Sequence, residues 1–138
     1  MKRKHWFGIV LVAFGLLIAI GPRTIFPVCP MGEMAMRCAG TAQAALWTGL
    51  AIAALGAAQA LLPQALVGAA LSALAGVGGL LTILYPTVLI GVCKMPTMAC
   101  HALTLPALVI LGSFTIAAAA LNVVLSIPVW KKVAGAAR

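Results

Sequence analysis

The residues of this chain that can do chemistry are crowded into two short stretches. All four cysteines, and every methionine except Met1, lie within Cys29–Cys38 and Cys93–Cys100. Methionine ordinarily spreads through apolar interiors, where its flexible thioether fills gaps, yet the long apolar runs of this chain carry none. Sulfur segregated in this way supports three chemistries. The leading one is structural: disulfides Cys29–Cys38 and Cys93–Cys100, formed in an oxidising compartment and each worth roughly 2–3 kcal/mol for loops of this size. Four cysteines allow three connectivities, so pairing between the two stretches stays open. The second is a soft-metal cup. Thiolates and thioethers select Cu(I), and Met31, Met34, Met36, Met95 and Met98 would supply such ligands together with the cysteines and His101. Met98, Cys100 and His101 form its densest group. Against it, Cys29 and Cys38 are spaced more widely than a C-x-x-C metal loop, and no Cys, His or acid lies in the apolar runs to pass an ion inward. The third is thiol exchange, as in four-helix membrane oxidoreductases that couple two cysteine pairs to a quinone. Arg37 beside Cys38 and Lys94 beside Cys93 could stabilise thiolates, but the cysteine intervals again exceed the C-x-x-C spacing that tunes such thiols.

Other chemistries lack their parts. His101 and Glu33 are the only outward base and acid for a Ser or Cys nucleophile. His5 and His101 fall on opposite sides of the chain's topology, too far apart to ligate one haem, and no phosphate-binding loop occurs. No resident cofactor is expected, Cu(I) being the one metal left open.

The elements that must position these stretches follow from composition. Of 138 residues, 64% are hydrophobic and only 7% charged, which leaves too little polar surface for a water-soluble domain. The surrounding medium is therefore the lipid bilayer. Apolar runs without acid or base cover Trp6–Ile20, Thr41–Leu62, Leu66–Val92 and Leu103–Ile127. The last three can each cross the ~30 Å core as helices. The first, about 23 Å as a helix, needs a turn borrowed at each end. The expected fold is an all-α membrane protein of four transmembrane helices, a single integral domain over residues 1–138 with outer loops 21–40 and 93–102. The net charge of +8 reads as topology rather than nucleic-acid binding. Lys2, Arg3, Lys4, Lys131, Lys132 and Arg138 flank the termini, whereas Arg23, Arg37 and Lys94, partly offset by Glu33, lie on the other side. By the positive-inside rule both termini are cytoplasmic, with Trp6 and Trp130 as interfacial anchors. Met1–Gly21 has the outline of a signal peptide, but Pro22 directly after the cleavage point argues against removal.

The two sulfur stretches also match each other. Pro22 precedes Cys29, and Pro86 precedes Cys93, by the same seven residues, an offset of 64. Val28-Cys29 and Met31 correspond to Val92-Cys93 and Met95, then Met36 and Cys38 to Met98 and Cys100, with Thr41 and Thr104 opening the next runs. Such self-similarity predicts two tandem helix hairpins related by an axis along the membrane normal. Gly49, Ala53 and Ala57, and Gly68, Ser72 and Gly76, are spaced for close helix packing. Gln43, Gln59, Ser72, Thr82, Ser113, Thr115 and Asn122 are expected to bond between helices.

Met36-Arg-Cys38-Ala-Gly-Thr-Ala-Gln43-Ala, opening the second run, and Pro86-Thr-Val-Leu-Ile-Gly-Val-Cys93-Lys-Met-Pro-Thr-Met98-Ala-Cys100, closing the third, resemble a family of small bacterial four-helix membrane proteins known as domain of unknown function 4418. The resemblance covers essentially the whole chain. It implies a bacterial inner-membrane protein that keeps company with permease and ATPase components of ABC transporters, and it supplies no activity. In that family a histidine often follows the second cysteine. Here Ala39 follows Cys38 while His101 follows Cys100, which weakens any scheme needing a histidine in both loops. The expected role is a non-enzymatic accessory subunit whose partners are lipid and other membrane subunits.

Overall fold

A chain of Ala, Leu, Ile and Val without interior charge can satisfy its backbone in lipid only by closing its hydrogen bonds within each segment, as a helix does. In the computed structural model, which describes residues 2–25, 36–62, 64–91 and 100–137, that is the outcome. Helix α1 spans Lys2–Thr24, α2 Met36–Leu61, α3 Ala65–Leu84 and α4 Leu105–Ala136, with π-helical turns at Tyr85–Leu89 and Cys100–Thr104. All four helices are long and apolar enough to cross a membrane. The described residues contain no strand.

The helices outrun the apolar stretches. The short first run is lengthened to 23 residues by turns that take in Lys2 at one end and Pro22 at the other. Pro22 lacks the N–H that would bond the Ile18 carbonyl, and the helix ends two residues later, at Thr24. Helix α4 runs past Ile127 through Lys131 and Lys132 to Ala136, with Pro128 inside it. Helix α2 begins at Met36 rather than after Gly40, because residues 36–39 contain neither Gly nor Pro to stop it.

Helices α1 and α2 pack most extensively on each other, and α3 packs likewise on α4. Their antiparallel register is set by glycine pairs. A Cβ added to Gly15 would stand 2.8 Å from the Gly49 carbonyl oxygen, and one added to Gly49 would stand 2.6 Å from that of Gly15. Gly79 and Gly112 repeat the arrangement between α3 and α4, at 3.0 and 2.8 Å. Where lipid replaces water no hydrophobic drive pulls helices together, so the close backbone approach that glycine permits is a main source of attraction. The small-residue stripes expected at Gly49, Ala53 and Ala57 and at Gly68, Ser72 and Gly76 are thus corrected in part. Gly49 and Ala53 lie in the crossing while Ala57 is exposed, and on α3 the crossing is made at Gly79.

The two hairpins bury the same pattern. Gly8, Leu11, Gly15, Ile18 and Pro22 are buried, as are Ser72, Ala75, Gly79, Thr82 and Pro86, each 64 residues further on. Thr41, Ala45, Gly49, Ile52, Gly56 and Gln59 are matched by Thr104, Leu108, Gly112, Thr115, Ala119 and Asn122, each 63 further on. The seams between the hairpins differ. At α2–α3, a Cβ on Gly78 would meet Ile52 Cγ1 at 2.9 Å. At α1–α4, the position corresponding to Gly78 is Phe14, stacked on Phe114 with ring centroids 6.0 Å apart, and these two helices meet less extensively.

Candidate functional site

Antiparallel packing brings the ends of α1 and α3 and the starts of α2 and α4 to one end of the bundle, opposite both chain termini. This is the end from which both sulfur stretches extend. Its floor is made of paired residues: Pro22 and Pro86 are fully buried, and so are Thr41 and Thr104, at 2% exposure each. Arg23 donates to Gln43 Oε1 at 3.1 Å, tying the end of α1 to the start of α2. Thr41 Oγ1 donates to the Gly91 carbonyl at 3.2 Å, tying α2 to the chain leaving α3.

Local sequence explains how α3 ends there. Pro86 lacks the N–H that would continue the α-helical ladder, and the chain widens into a π-turn in which the amides of Ile90 and Gly91 both bond the Tyr85 carbonyl, at 3.0 and 3.1 Å. Gly91 then takes φ +77°, a left-handed conformation open to glycine. On the other side of this end, Cys100 and His101 begin a second π-turn that leads into α4. Single π-turns within helices recur at functional sites, and here they bracket the second sulfur stretch.

Four of the candidate residues are placed in helical backbone. Met36 and Cys38 lie in the first turn of α2, a correction to their expected position in an outer loop, while Cys100 and the exposed His101 lie in the turn before α4. Cys29, Cys93, Met31, Met34, Met95 and Met98, and with them both expected disulfides and most of the expected metal ligands, lie outside the described residues. Among the described residues no three of His, Cys, Asp and Glu come together.

Polar groups inside the bundle are engaged in structure. Asn122 Nδ2 donates to Ser72 Oγ at 2.6 Å, and Ser72 Oγ donates to Gln59 Oε1 at 3.0 Å, so α2, α3 and α4 are joined near the terminal end as expected. Thr82, Ser113 and Thr115 depart from expectation. Their hydroxyls donate to the carbonyls of Gly78, Val109 and Leu111 within their own helices, since a hydroxyl one turn along can reach back four residues without a neighbour. No buried side-chain nitrogen or oxygen among the described residues lacks a partner. Sequence reasoning identified the polar residues and, on α2, Gly49, but missed its partner Gly15 and the Gly79–Gly112 crossing of α3 with α4. Gly15 and Gly79, 64 residues apart, were a signal for them.

A family model with the description "Domain of unknown function (DUF4418)" matches residues 11–125, a stretch that holds both sulfur segments and both glycine crossings. No curated protein and no solved structure matches the chain.

Proposed function

The chain belongs to the DUF4418 family, and from that premise we propose that it is an accessory subunit of a larger bacterial inner-membrane assembly, non-enzymatic, docking through its sulfur-bearing end. One observation carries the reading. Cys38 and Cys100 each open a helix just ahead of the buried Thr41 and Thr104, at the same end of the bundle. Below them every buried polar side chain of the described residues is already bonded within the protein, so chemistry or contact belongs to the end rather than to a path through the bundle. Disulfides Cys29–Cys38 and Cys93–Cys100 would hold both loops against this floor as one rigid contact surface. The shared burial pattern of the two hairpins and their matched glycine pairs support descent from a duplicated hairpin. With six basic residues near the termini and three beyond the other end, the termini face the cytoplasm and the loops face outward.

The test is recovery of the chain from its own membranes after cross-linking. A stoichiometric membrane partner is expected, and permease and ATPase components of ABC-type transporters are the first to look for. Recovery of the chain alone under conditions that preserve other complexes overturns the reading. Exposed His101 beside Cys100 favours a Cu(I) cup as the second reading. Metal analysis of anaerobically reduced protein then finds near-stoichiometric copper, which M95L and M98L abolish. Quinone-linked thiol exchange is the third, and inability to oxidise a dithiol partner removes it.

A further inference from the structure

The outer face of the α3–α4 hairpin carries an apolar groove that internal packing leaves open. Toward the terminal end it is a recess of about 460 Å³ between Leu66, Ala69 and Ala73 of α3 and Val123, Ile127 and Trp130 of α4. It continues through Ala73 and Val123 into a second recess of about 450 Å³ that reaches Leu80. From Leu66 to Leu80 the groove follows α3 for about 21 Å, more than the ~15 Å depth of one leaflet's share of the hydrocarbon core. Its walls are almost wholly apolar. Ser126, the one hydroxyl-bearing residue lining the first recess, donates to the Asn122 carbonyl at 2.8 Å and is occupied.

The mouth of the groove is charged. Lys131 follows Trp130 directly and both are exposed. At about 100° per helical residue, Lys131 stands about 40° around the helix from Ile127, flanking the groove, whereas Lys132 falls on the opposite side of α4. The chain's sole acid is Glu33, which belongs to the stretch between α1 and α2 at the far end. We propose that this groove binds an anionic phospholipid, one acyl chain lying along α3–α4 and the phosphate held at Lys131 beside the Trp130 indole. Charge complementarity at the mouth selects the head group, and a small-residue trough of acyl-chain length takes the tail. A basic side chain near the membrane surface contributes about 1 kcal/mol toward anionic lipid, which corresponds to a preference of about fivefold.

The test uses the full chain with W6F and W47F, so that Trp130 is the reporting indole, reconstituted in phosphatidylcholine vesicles. Phosphatidylglycerol with brominated acyl chains is then compared with brominated phosphatidylcholine as a quencher. Phosphatidylglycerol is expected to reach half-quenching at about one fifth of the mole fraction. K131Q should erase that difference and K132Q should leave it. A73F, at an exposed position, should fill the trough and weaken quenching by both lipids with no change in the protein's oligomeric mass. Equal quenching by the two lipids, or equal effects of K131Q and K132Q, overturns the proposal. Loss of a dimer or of a co-purified helix on A73F overturns it too, in favour of a protein occupant.

Discussion

At the scale of single residues, this fold depends on atoms that are not there. Gly49 has no side chain to hold Ala19 and Gly15 away, and a methyl group there would stand 2.5 Å from the Ala19 nitrogen. Backbone cannot yield as a flexible side chain can, so G49A should separate α1 from α2 and destabilise by roughly 1–3 kcal/mol, read as a lower midpoint in detergent denaturation. Gly135 has nothing within 4 Å, and G135A should be neutral or stabilising by up to about 1 kcal/mol. Equal effects of the two changes would remove the crossing from the account. Ser72 is the other sensitive position, because it both accepts from Asn122 and donates to Gln59. Interhelical hydrogen bonds in lipid average about 0.6 kcal/mol and reach about 1.7. S72A should therefore lose roughly 1–3 kcal/mol, with a measurable coupling to N122A in a double-mutant cycle.

At the scale of elements, the two hairpins share one design and differ where they meet. Gly78 lets α3 settle on Ile52 of α2, while Phe14 and Phe114 stack where α1 meets α4. A stacked aromatic pair adds about 0.5–1.5 kcal/mol beyond its area, and here it joins two helices that otherwise meet less extensively. Removing both rings, F14A with F114A, should reveal a coupling of about 0.5–1.5 kcal/mol in a double-mutant cycle followed by detergent denaturation; no coupling would show that other contacts hold the seam. The helices themselves were legible in sequence, since long runs without charge have no other way to satisfy their backbone in lipid. Their ends were less so. The start of α2 at Met36 and the extension of α4 to Ala136 depend on polar and basic residues that hydropathy counts as loop but helix propensity accepts.

At the scale of the whole molecule, most of the helical surface faces outward. Over the 18-residue apolar stretch of each span, between 22% and 39% of the residues are buried inside the bundle, and side chains such as Trp47, Leu61, Leu74, Val88 and Phe114 are exposed. In lipid that exposure needs no cover, so it fits a membrane-embedded chain. Orientation is checked by labelling. In reduced cells a membrane-impermeant maleimide applied from outside should modify Cys38 and Cys100, and a cysteine placed at Gly135 should stay protected; the reverse pattern would invert the topology. Without reduction, the purified protein should show no free thiols if both disulfides form, and four free thiols would remove them.

The sequence by itself determined the medium and the number of helices, because both follow from the cost of placing charge or unbonded backbone in lipid, which depends on residue type alone; it also showed the sulfur gathered at two points. It also marked the two hairpins through the 64-residue recurrence of Pro, Cys and Met. Tertiary structure alone decided which of many similar glycines and alanines touch, which hydroxyls turn back on their own helix, and which seam between the hairpins is the more extensive. Those outcomes rest on differences of a few tenths of an ångström between nearly identical apolar faces, and a pattern of residue types does not contain them.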